Sequence, residues 1–342
     1  MLSERELERY SRQVLLREIG RGGQERLAGS HAAIIGCGAT GSMTANNLAR
    51  AGVGRLTLVD RDFVELGNIH RQNLYTEKDI GRPKAIAAGE MLGAVNSDIE
   101  ITPILKDCNS GNIETLIGGA DVVCDGTDNM ETRYIINDAC VKRGTPWVYV
   151  GAVATYGMTM PIAPDKTPCL RCVFPEPPKP GALPTCDTVG IIGMMPAIIS
   201  SMGSVSALKI LMGGKGAIKQ EMSVYDCWSN ELTKVAVKRN RTCRCCSGRH
   251  FDFLNMKRRS AATLLCGRNS VQVVPMGDGD IDLGAFARKL GRAGKATLSE
   301  HMLTVKLPAG RVLTLFRDGR AIIKGTTDEK IARSLYSRYV GT

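Results

Sequence analysis

The sequence predicts an α/β fold: a Rossmann-like, mostly parallel sheet with flanking helices, followed by a small C-terminal α+β domain. A short apolar run ends in a glycine-rich turn at residues 36–41. Apolar runs then alternate with helical segments as far as residue 139, which is typical of a parallel sheet. Two Cys-x-x-Cys pairs follow. We divide the chain into a large domain, residues 1–255, which includes these pairs, and a small domain, residues 261–342.

The glycine-rich turn is the first element with recognisable chemistry. Gly36, Gly38 and Gly41 form a Gly-x-Gly-x-x-Gly motif directly after the first apolar run. The first glycine permits a tight turn, the second lets backbone approach a phosphate, and the third lets the next helix pack on the strand. The N-terminal N–H groups of that helix favour an anion. The motif predicts a bound nucleotide, although such turns also serve as plain connectors.

The second apolar run, residues 56–60, ends on an acid at the position that suits a ribose. Asp60 lies about 20 residues beyond the glycines, where a carboxylate commonly binds ribose hydroxyls. The alternative is an acid that only caps the strand end. Up to this point an enzyme that uses NAD fits as well as one that uses ATP.

Length and composition are those of a soluble protein. The 342 residues can bury one large core, or a core and a small domain, with 43% hydrophobic and 23% charged residues. We find no apolar run of about 18 residues free of polar side chains and no charged-then-apolar leader. We therefore expect a cytoplasmic protein without a membrane segment. Twelve cysteines then favour metal or redox chemistry over disulfides.

The net charge of +11 admits several partners. Part of it crowds one segment without the interleaved aromatic residues that a single-strand nucleic-acid binder needs. We expect an acidic protein partner rather than nucleic acid, and a solvated basic linker remains the alternative. The residues concerned are Lys238, Arg239, Arg241, Arg244, Arg249, Lys257, Arg258 and Arg259.

Two loops supply cations suited to phosphate. Arg71 lies in a polar stretch, residues 67–73, and offers a planar fork of donors. Lys84 opens a helix directly after Pro83, a residue suited to the first turn. A cation beside a helix N-terminus is unfavourable unless an anion lies between them, so Lys84 is a phosphate-binding candidate, with a surface lysine as the alternative.

A strand at residues 121–124 leads into a further acidic loop. We also predict a strand at residues 100–105, a short helix at 111–117 and a helix that ends at residue 139. Acids at the carboxyl end of an inner parallel strand face the ligand crevice. Asp128 could hold a divalent cation there, because hard cations take carboxylates together with phosphates. A helix N-cap is its alternative role.

The N-terminus begins with a capping box, Ser3 with Glu6, which predicts a helix that brings Arg9 and Arg12 together on its surface. With this segment included, the motifs resemble, in their order along the chain, those of the ThiF/MoeB/HesA adenylyltransferases, bacterial relatives of ubiquitin-activating enzymes. The resemblance covers roughly residues 1–250. It rests on Arg9-Tyr-Ser-Arg-Gln13, the glycine-rich turn with Asp60, Asn68-x-x-Arg71-Gln72, Gly81-Arg-Pro-Lys84, Thr127-Asp128-Asn129 and the cysteine pairs.

The resemblance implies an enzyme that uses Mg-ATP to adenylate the C-terminal glycine of a ubiquitin-like sulfur carrier ending in Gly-Gly, such as ThiS or MoaD, for thiamin or molybdopterin biosynthesis. It implies that Asp60 binds ribose, that Asn68, Arg71 and Lys84 hold phosphates, and that Asp128 takes the magnesium ion. Arg12 would reach into the neighbouring subunit of a homodimer. The nucleotide site would also include Ala39, Asp62, Gln72 and Asn129. A cysteine desulfurase is a further candidate partner.

The cysteine pairs predict a structural zinc site. Two Cys-x-x-Cys pairs can supply four thiolates to one tetrahedral ion, and the resemblance supports zinc over a redox pair. Cys245 makes the second pair ambiguous, but the spacing selects Cys243 and Cys246. The predicted ligands are therefore Cys169, Cys172, Cys243 and Cys246.

Cys186 follows a proline-rich segment, residues 175–181, that predicts a mobile loop. In relatives that this chain resembles, a loop cysteine captures the activated carrier as a thioester or takes part in sulfur transfer. A helix start near Val189 or nearby arginines could lower the pKa of Cys186. An unreactive thiol is the alternative.

The remaining chain predicts structure more than chemistry. Residues 189–212 predict a helix, kinked at Pro196, in the core or a dimer interface, and residues 221–226 and 232–237 predict paired strands. Residues 261–342 predict an α+β module with an Asp-Gly hairpin, which would dock the carrier or stabilise a dimer. Cys266 lacks the flanking residues of a sulfur-transfer loop.

Three other functions stay open on the sequence alone. A relative that dehydrates a modified adenosine in tRNA would suit the basic charge, but the zinc cysteines argue against it. An NAD oxidoreductase would leave Arg71, Lys84 and Asp128 without a role. A zinc-bound scaffold would bind carrier without turnover.

Overall fold

The chain folds as two units, residues 1–256 and 257–342. A computed structural model describes residues 2–178, 184–213, 218–255, 262–265, 269–274, 281–291 and 295–341. Each unit has a hydrophobic core of its own. We describe the two units separately.

The first unit contains an eight-stranded sheet in the order β3-β2-β1-β4-β5-β6-β7-β8. Strands β1 to β5 are parallel, whereas β5 to β8 pair antiparallel. Because β2 and β4 flank β1 on opposite sides, the strand order reverses there and opens a crevice at the carboxyl ends of the strands. The strands are β1 (His31–Ile35), β2 (Arg55–Val59), β3 (Glu100–Ile104), β4 (Val122–Asp125), β5 (Trp147–Val153), β6 (Tyr156–Ile162), β7 (Glu221–Asp226) and β8 (Glu231–Ala236).

Helices cover both faces of this sheet. Successive side chains of a strand point to opposite faces, so Ala32 and Ile34 of β1 enter one core while Ala33 and Ile35 enter the other. The first core is closed mainly by α4, α5 and α10, and the second by α6 and α7 with the cysteine-bearing segments. The helices are α1 (Glu4–Arg9), α2 (Ser11–Val14), α3 (Gly20–Ala28), α4 (Ala39–Arg50), α5 (Lys84–Val95), α6 (Ile113–Leu116), α7 (Met130–Arg143), α8 (Leu170–Val173), α9 (Cys186–Val189) and α10 (Met194–Leu211).

The N-terminal capping box is confirmed, but the helix it starts is short. Ser3 accepts a hydrogen bond from Glu6 N, and the Glu6 carboxylate accepts one from Ser3 N. The helix ends at Arg9 because Tyr10 turns into the core, where Asn96 Nδ2 donates to its hydroxyl at 2.8 Å. Arg9 pairs with Asp98 at 2.9 Å.

The predicted kink at Pro196 is wrong. Helix α10 begins at Met194, so Pro196 lies in the first turn, where a missing N–H and a fixed φ are tolerated. Among the described residues, α10 is the one helix whose length and composition would allow it to cross a membrane, and half of it is buried. It packs on α4, β5 and β6, so its apolar surface is used by the core of this unit.

The described residues of the second unit form a six-stranded antiparallel sheet in the order β11-β12-β13-β14-β10-β9 and two helices. The strands are β9 (Ala262–Leu265), β10 (Ser270–Val273), β11 (Ala296–Leu298), β12 (Met302–Lys306), β13 (Val312–Phe316) and β14 (Ala321–Lys324), and the helices are α11 (Leu283–Leu290) and α12 (Glu329–Tyr339). The Asp-Gly hairpin is confirmed between β13 and β14. Strands β9 and β11 were not predicted. Lys257, Arg258, Arg259 and Cys266 lie outside the described residues.

Candidate active site

The glycine-rich turn lies at the crevice and packs directly on the loop that follows β4. Gly36 has φ +91°, and a Cβ there would lie 2.5 Å from the Gly126 carbonyl oxygen. A Cβ on Gly41 would lie 1.8 Å from the Gly36 oxygen, and a Cβ on Gly126 would lie 2.2 Å from it. Only glycine fits at these three positions. Gly126 was not among the predicted site residues, and its position directly after the last residue of a strand was the available signal.

The start of α4 and Gln72 leave polar groups for a ligand. Gly38 is the N-cap of α4 and Ala39 its first residue, so the N–H groups of the first turn have no acceptor within the helix. Gln72 is buried, and its Oε1 has no hydrogen-bond partner among the described residues. A Cβ on Gly38 would lie 3.9 Å from Gln72 Nε2. A buried amide without a full set of partners beside this turn fits a polar ligand such as a nucleotide.

Asp60 connects the end of β2 to the glycine-rich turn. Its Oδ2 accepts a hydrogen bond from Cys37 N in the glycine-rich turn, and its Oδ1 accepts one from Asp62 N, both at 2.6 Å. Burial raises the pKa of Asp60, although Lys84 opposes this shift. The carboxylate therefore joins the end of β2 to the turn. Its remaining lone pairs can still accept ribose hydroxyls.

Lys84 is buried, so the alternative of a surface lysine is wrong. Its side chain is 3% exposed, and Nζ lies 3.5 Å from Asp62 Oδ2. Asp62 supplies the anion that a cation at the first position of α5 requires. Pro83 is the N-cap of this helix rather than part of its first turn. The contact holds Lys84 close enough to Asp60 to lower the pKa of that carboxyl.

The loop between β2 and α5 carries the other predicted phosphate ligands. Asn68 is buried at the end of a 3₁₀ turn, Leu66–Asn68, and its Oδ1 accepts a hydrogen bond from Glu65 N at 3.3 Å. Arg71 is partly exposed, and its Nη1 contacts the Gly67 oxygen and His70 Nε2, both at 2.8 Å. The Arg71 guanidinium is thus held by a backbone oxygen and a side chain of its own loop.

Asp128 is exposed in the loop after β4. The N-cap role suggested for it is wrong, because Asn129 caps α7 by accepting a hydrogen bond from Thr132 N at 2.9 Å. Arg61 was not predicted as a site residue. It pairs with Asp107 at 2.8 Å, and the carboxylates around it, Asp128 among them, keep its pKa raised despite its burial.

Four cysteines of the first unit form a cluster. The sulfur atoms of Cys169, Cys172, Cys243 and Cys246 all lie within 4.8 Å of one another. Three of the separations are 3.9, 3.7 and 3.4 Å. A tetrahedral ion with Zn–S bonds of 2.3 Å requires sulfur atoms about 3.8 Å apart, so the donor set fits zinc. Cys245 lies outside the four and instead accepts a hydrogen bond from Asn137 Nδ2 at 3.3 Å.

The described part of the basic segment is exposed, as a solvated linker would be, and three of its arginines also contact the chain around the cysteine cluster. Arg239 donates to the Cys246 oxygen at 2.8 Å, and Arg249 donates to the Val141 oxygen at 3.2 Å. Arg244 pairs with Asp252 at 3.0 Å. Arg249 therefore joins the segment of the second cysteine pair to α7, whereas the other two contacts lie within residues 239–252.

A family model described as the ThiF family matches residues 10–245. This range includes the glycine-rich turn, the loops of the crevice and three of the four clustered cysteines. The chain belongs to the ThiF family.

Relatives of this ThiF-family chain differ in how much of it they match. The "Sulfur carrier protein ThiS adenylyltransferase" of Bacillus subtilis (strain 168) is 40% identical over 337 residues, 97% of this chain and 99% of that protein. The "Sulfur carrier protein adenylyltransferase" of Thermus thermophilus is 37% identical over 250 residues, 71% of this chain and 92% of that protein. The match to the Bacillus protein therefore extends through the second unit, whereas the Thermus match is about as long as the first.

Solved structures share the fold. Escherichia coli MccB crystallised with ATP superimposes with a TM-score of 0.62 over 70% of this chain and 74% of that one, at 21% identity. PaaA superimposes with a TM-score of 0.58 over 69% of this chain and 84% of that one, at 22% identity. With the observed sheet, these likenesses confirm the predicted α/β architecture.

Cys186 of this ThiF-family chain is the first residue of α9, so the helix begins at the cysteine rather than near Val189. Its side chain is partly buried, and Sγ donates to the Ala152 oxygen at 3.6 Å. Part of the predicted mobile loop, residues 179–183, lies outside the described residues. Arg12 is exposed on α2, as a residue that reaches toward another subunit would have to be.

Proposed function

We propose that this protein uses Mg-ATP to adenylate the C-terminal glycine of a ubiquitin-like sulfur-carrier protein that ends in Gly-Gly. The main support is the Bacillus relative, which is named a ThiS adenylyltransferase and aligns with almost the whole of this chain. The crevice agrees with that activity, because a glycine-rich turn, a buried lysine and an acid at the end of β2 meet there.

In the proposed reaction a carboxylate oxygen of the glycine attacks the α-phosphorus of ATP. A bond forms between that oxygen and phosphorus, the bond to the bridging oxygen breaks, and pyrophosphate leaves. Negative charge grows on the phosphate oxygens, and preplaced donors stabilise it without reorganisation. Asn68, Arg71 and Lys84 would supply those donors.

The other groups of the crevice would bind and orient the nucleotide. Asp60 would accept the ribose hydroxyls, and the glycine-rich turn with Ala39 would donate backbone N–H groups to phosphate. Asp62 would keep Lys84 in place, and Gln72 and Asn129 would add polar contacts. An exposed carboxylate such as Asp128 suits magnesium, which prefers one or two carboxylates together with phosphates and water and would neutralise the charge of the departing pyrophosphate.

The four clustered cysteines would hold zinc in a structural role. Four thiolates complete a tetrahedral shell and leave no position for water or substrate. We propose Cys169, Cys172, Cys243 and Cys246 as the ligands. The ion would join the segment after β6 to the segment after β8.

Further proposals concern the partners. Arg12 would enter the crevice of a second copy in a homodimer, and Cys186 would accept the activated glycine as a thioester, with release of AMP. A cysteine desulfurase would then supply sulfur in the cytoplasm, for thiamin or molybdopterin biosynthesis. The relatives do not favour tRNA dehydration or NAD-dependent oxidation.

Carrier-dependent exchange of labelled pyrophosphate into ATP tests the main proposal. The purified protein is incubated with Mg-ATP and either a ThiS-type or a MoaD-type carrier, and each carrier is also offered without its last glycine as the matched control. We expect exchange with one intact carrier and none with its truncated form. No exchange with any intact carrier, or tighter binding of NADH than of Mg-ATP, would contradict the proposal.

A further inference from the structure

A buried ion pair lies beneath the loop that carries Asp128. Asp125 ends β4 and is completely buried, and Arg133, one turn into α7, has a side chain that is 11% exposed. Arg133 Nε donates to Asp125 Oδ2 at 2.8 Å. Neither residue has a part in the proposed chemistry.

The pair holds the backbone on one side of Asp128. The N–H and the hydroxyl of Thr127 both donate to Asp125 Oδ1, at 2.8 and 2.6 Å. Arg133 Nη2 donates to the Thr127 oxygen at 2.7 Å and to the Val150 oxygen on β5 at 3.1 Å. One guanidinium therefore joins β4, the loop and β5.

The backbone on the other side of Asp128 is held by the start of α7, where Asn129 caps the helix. On the Thr127 side, Gly126 N donates a further hydrogen bond to the Ile35 oxygen on β1 at 2.8 Å. Asp128 is thus an exposed residue between two anchored neighbours. A carboxylate on such a loop loses little conformational freedom when it binds a cation.

Arg133 is not placed to bind substrate itself. Its Nε and Nη2 donate to three oxygen atoms of the chain, and the guanidinium lies over the Tyr149 ring at 5.2 Å from the centroid. Burial opposes the charge of Arg133, but Asp125 keeps the pKa of Arg133 raised. The side chain therefore stays charged, and its hydrogen bonds are used within the protein.

We infer that Asp125 and Arg133 are positioning residues that fix residues 126–128 and so hold the Asp128 carboxylate ready for a magnesium ion on ATP. This inference rests on the proposed function, in which Asp128 takes that ion. A pair with a purely structural role would instead support the fold with no special link to Asp128.

A double-mutant cycle separates these possibilities. Carrier-dependent exchange is measured for Asp128→Ala, for Arg133→Ala and for the two together. We expect Arg133→Ala to lower the rate about 10–100-fold, as the loss of an outer-shell group does, and to add no further loss in the Asp128→Ala background. Ile136→Ala, a core truncation in the same helix, is the control, and its effect should multiply with that of Asp128→Ala. Multiplied losses for Arg133 would overturn the inference.

Hydrogen exchange of the unliganded protein gives a readout independent of activity. We expect Arg133→Ala to speed amide exchange in a peptide that covers residues 126–129, and Ile136→Ala to leave this peptide as protected as in the wild type. Unchanged protection in Arg133→Ala would contradict the inference. If Arg133→Ala does not fold, Arg133→Lys keeps the charge beside Asp125 but cannot contact both carbonyl groups, and it should show the same changes in weaker form.

Different results would refute adenylation and the role of the Asp125–Arg133 pair. A wild-type protein without carrier-dependent exchange would refute the proposed function. Normal exchange in Asp128→Ala, with an active wild type, would leave adenylation intact and refute the role of Asp128 and with it that of the pair.

Discussion

The two units of this chain use their sheets differently. In the first unit parallel strands bring their carboxyl ends to one edge, and the charged residues Asp60, Lys84 and Asp125 are buried near it. In the described part of the second unit every strand pair is antiparallel, and the buried polar residues on the strands, such as Gln272 and Thr314, are uncharged, while the buried Arg320 lies in the turn between β13 and β14. Parallel topology gathers strand ends and helix starts at a single edge, whereas hairpins distribute loops over both ends. This difference explains why the candidate active site lies in the first unit.

Charge separates the units further. Residues 257–342 contain 16 of the 45 Lys and Arg but only 7 of the 34 Asp and Glu, a net charge of +9, while residues 1–256 carry +2. Lys330, Arg333 and Arg338 of α12 are exposed. The second units of two chains placed face to face would repel each other. The charge therefore favours docking of an acidic protein on this unit over a dimer contact between two copies of it. This role remains a prediction.

The largest effect should come from the crevice of the first unit. We expect Arg71→Ala to lower carrier-dependent pyrophosphate exchange about a hundredfold or more, because it would remove a donor that we propose for the developing phosphate charge. Lys84→Ala should act similarly. Arg317→Ala, an exposed arginine of the second unit, is the control and should leave the rate unchanged. Equal losses from Arg71→Ala and Arg317→Ala would mean that adenylation is not confined to the first unit.

The cysteine cluster of the first unit gives the next largest expected effect. We expect Cys246→Ser to lose the zinc that we propose for this cluster and to unfold at a lower temperature by several degrees, since each kcal/mol corresponds to roughly 2–4 °C in a unit of this size. Cys245→Ser should keep the zinc, because Cys245 contacts Asn137 instead. Zinc content and calorimetry provide the measurements, and zinc loss in Cys245→Ser would reverse the assignment.

A smaller effect should follow from the surface of the second unit. We expect Lys330→Glu together with Arg333→Glu to raise the KM for carrier about fivefold at low ionic strength, with kcat unchanged, since exposed charges act mainly on encounter. The difference should disappear in high salt. Lys142→Glu on the first unit is the matched control. A change in kcat, or one that persists in salt, would argue against a docking surface.

The smallest effect on adenylation should come from Cys186. We expect Cys186→Ser to leave pyrophosphate exchange within about twofold of the wild-type rate, because in the proposed reaction the thiol would act only after the acyl-adenylate has formed. The same variant should form no thioester with the carrier, as read by mass spectrometry. If exchange falls sharply, the contact between Cys186 and the Ala152 oxygen serves the fold.

Much of this architecture follows from local sequence patterns. Glycine spacing, alternating apolar runs and a capping box depend on neighbours along the chain, so the sequence alone indicated the parallel sheet, the start of α1 and most elements of the second unit. The Cys-x-x-Cys spacing likewise selected Cys246 over Cys245, and the observed cluster contains Cys246.

Only the tertiary structure decided the features that join distant segments. Lys84 is buried because Asp62 faces it, Gly126 is required because Gly36 packs against it, and Asp125 meets Arg133 across the start of α7. Strands β5 and β6, which pair with each other, were also not predicted. Pairing of this kind depends on which elements the fold brings together, and a sequence pattern reports the preferences of a segment but not its neighbour in space.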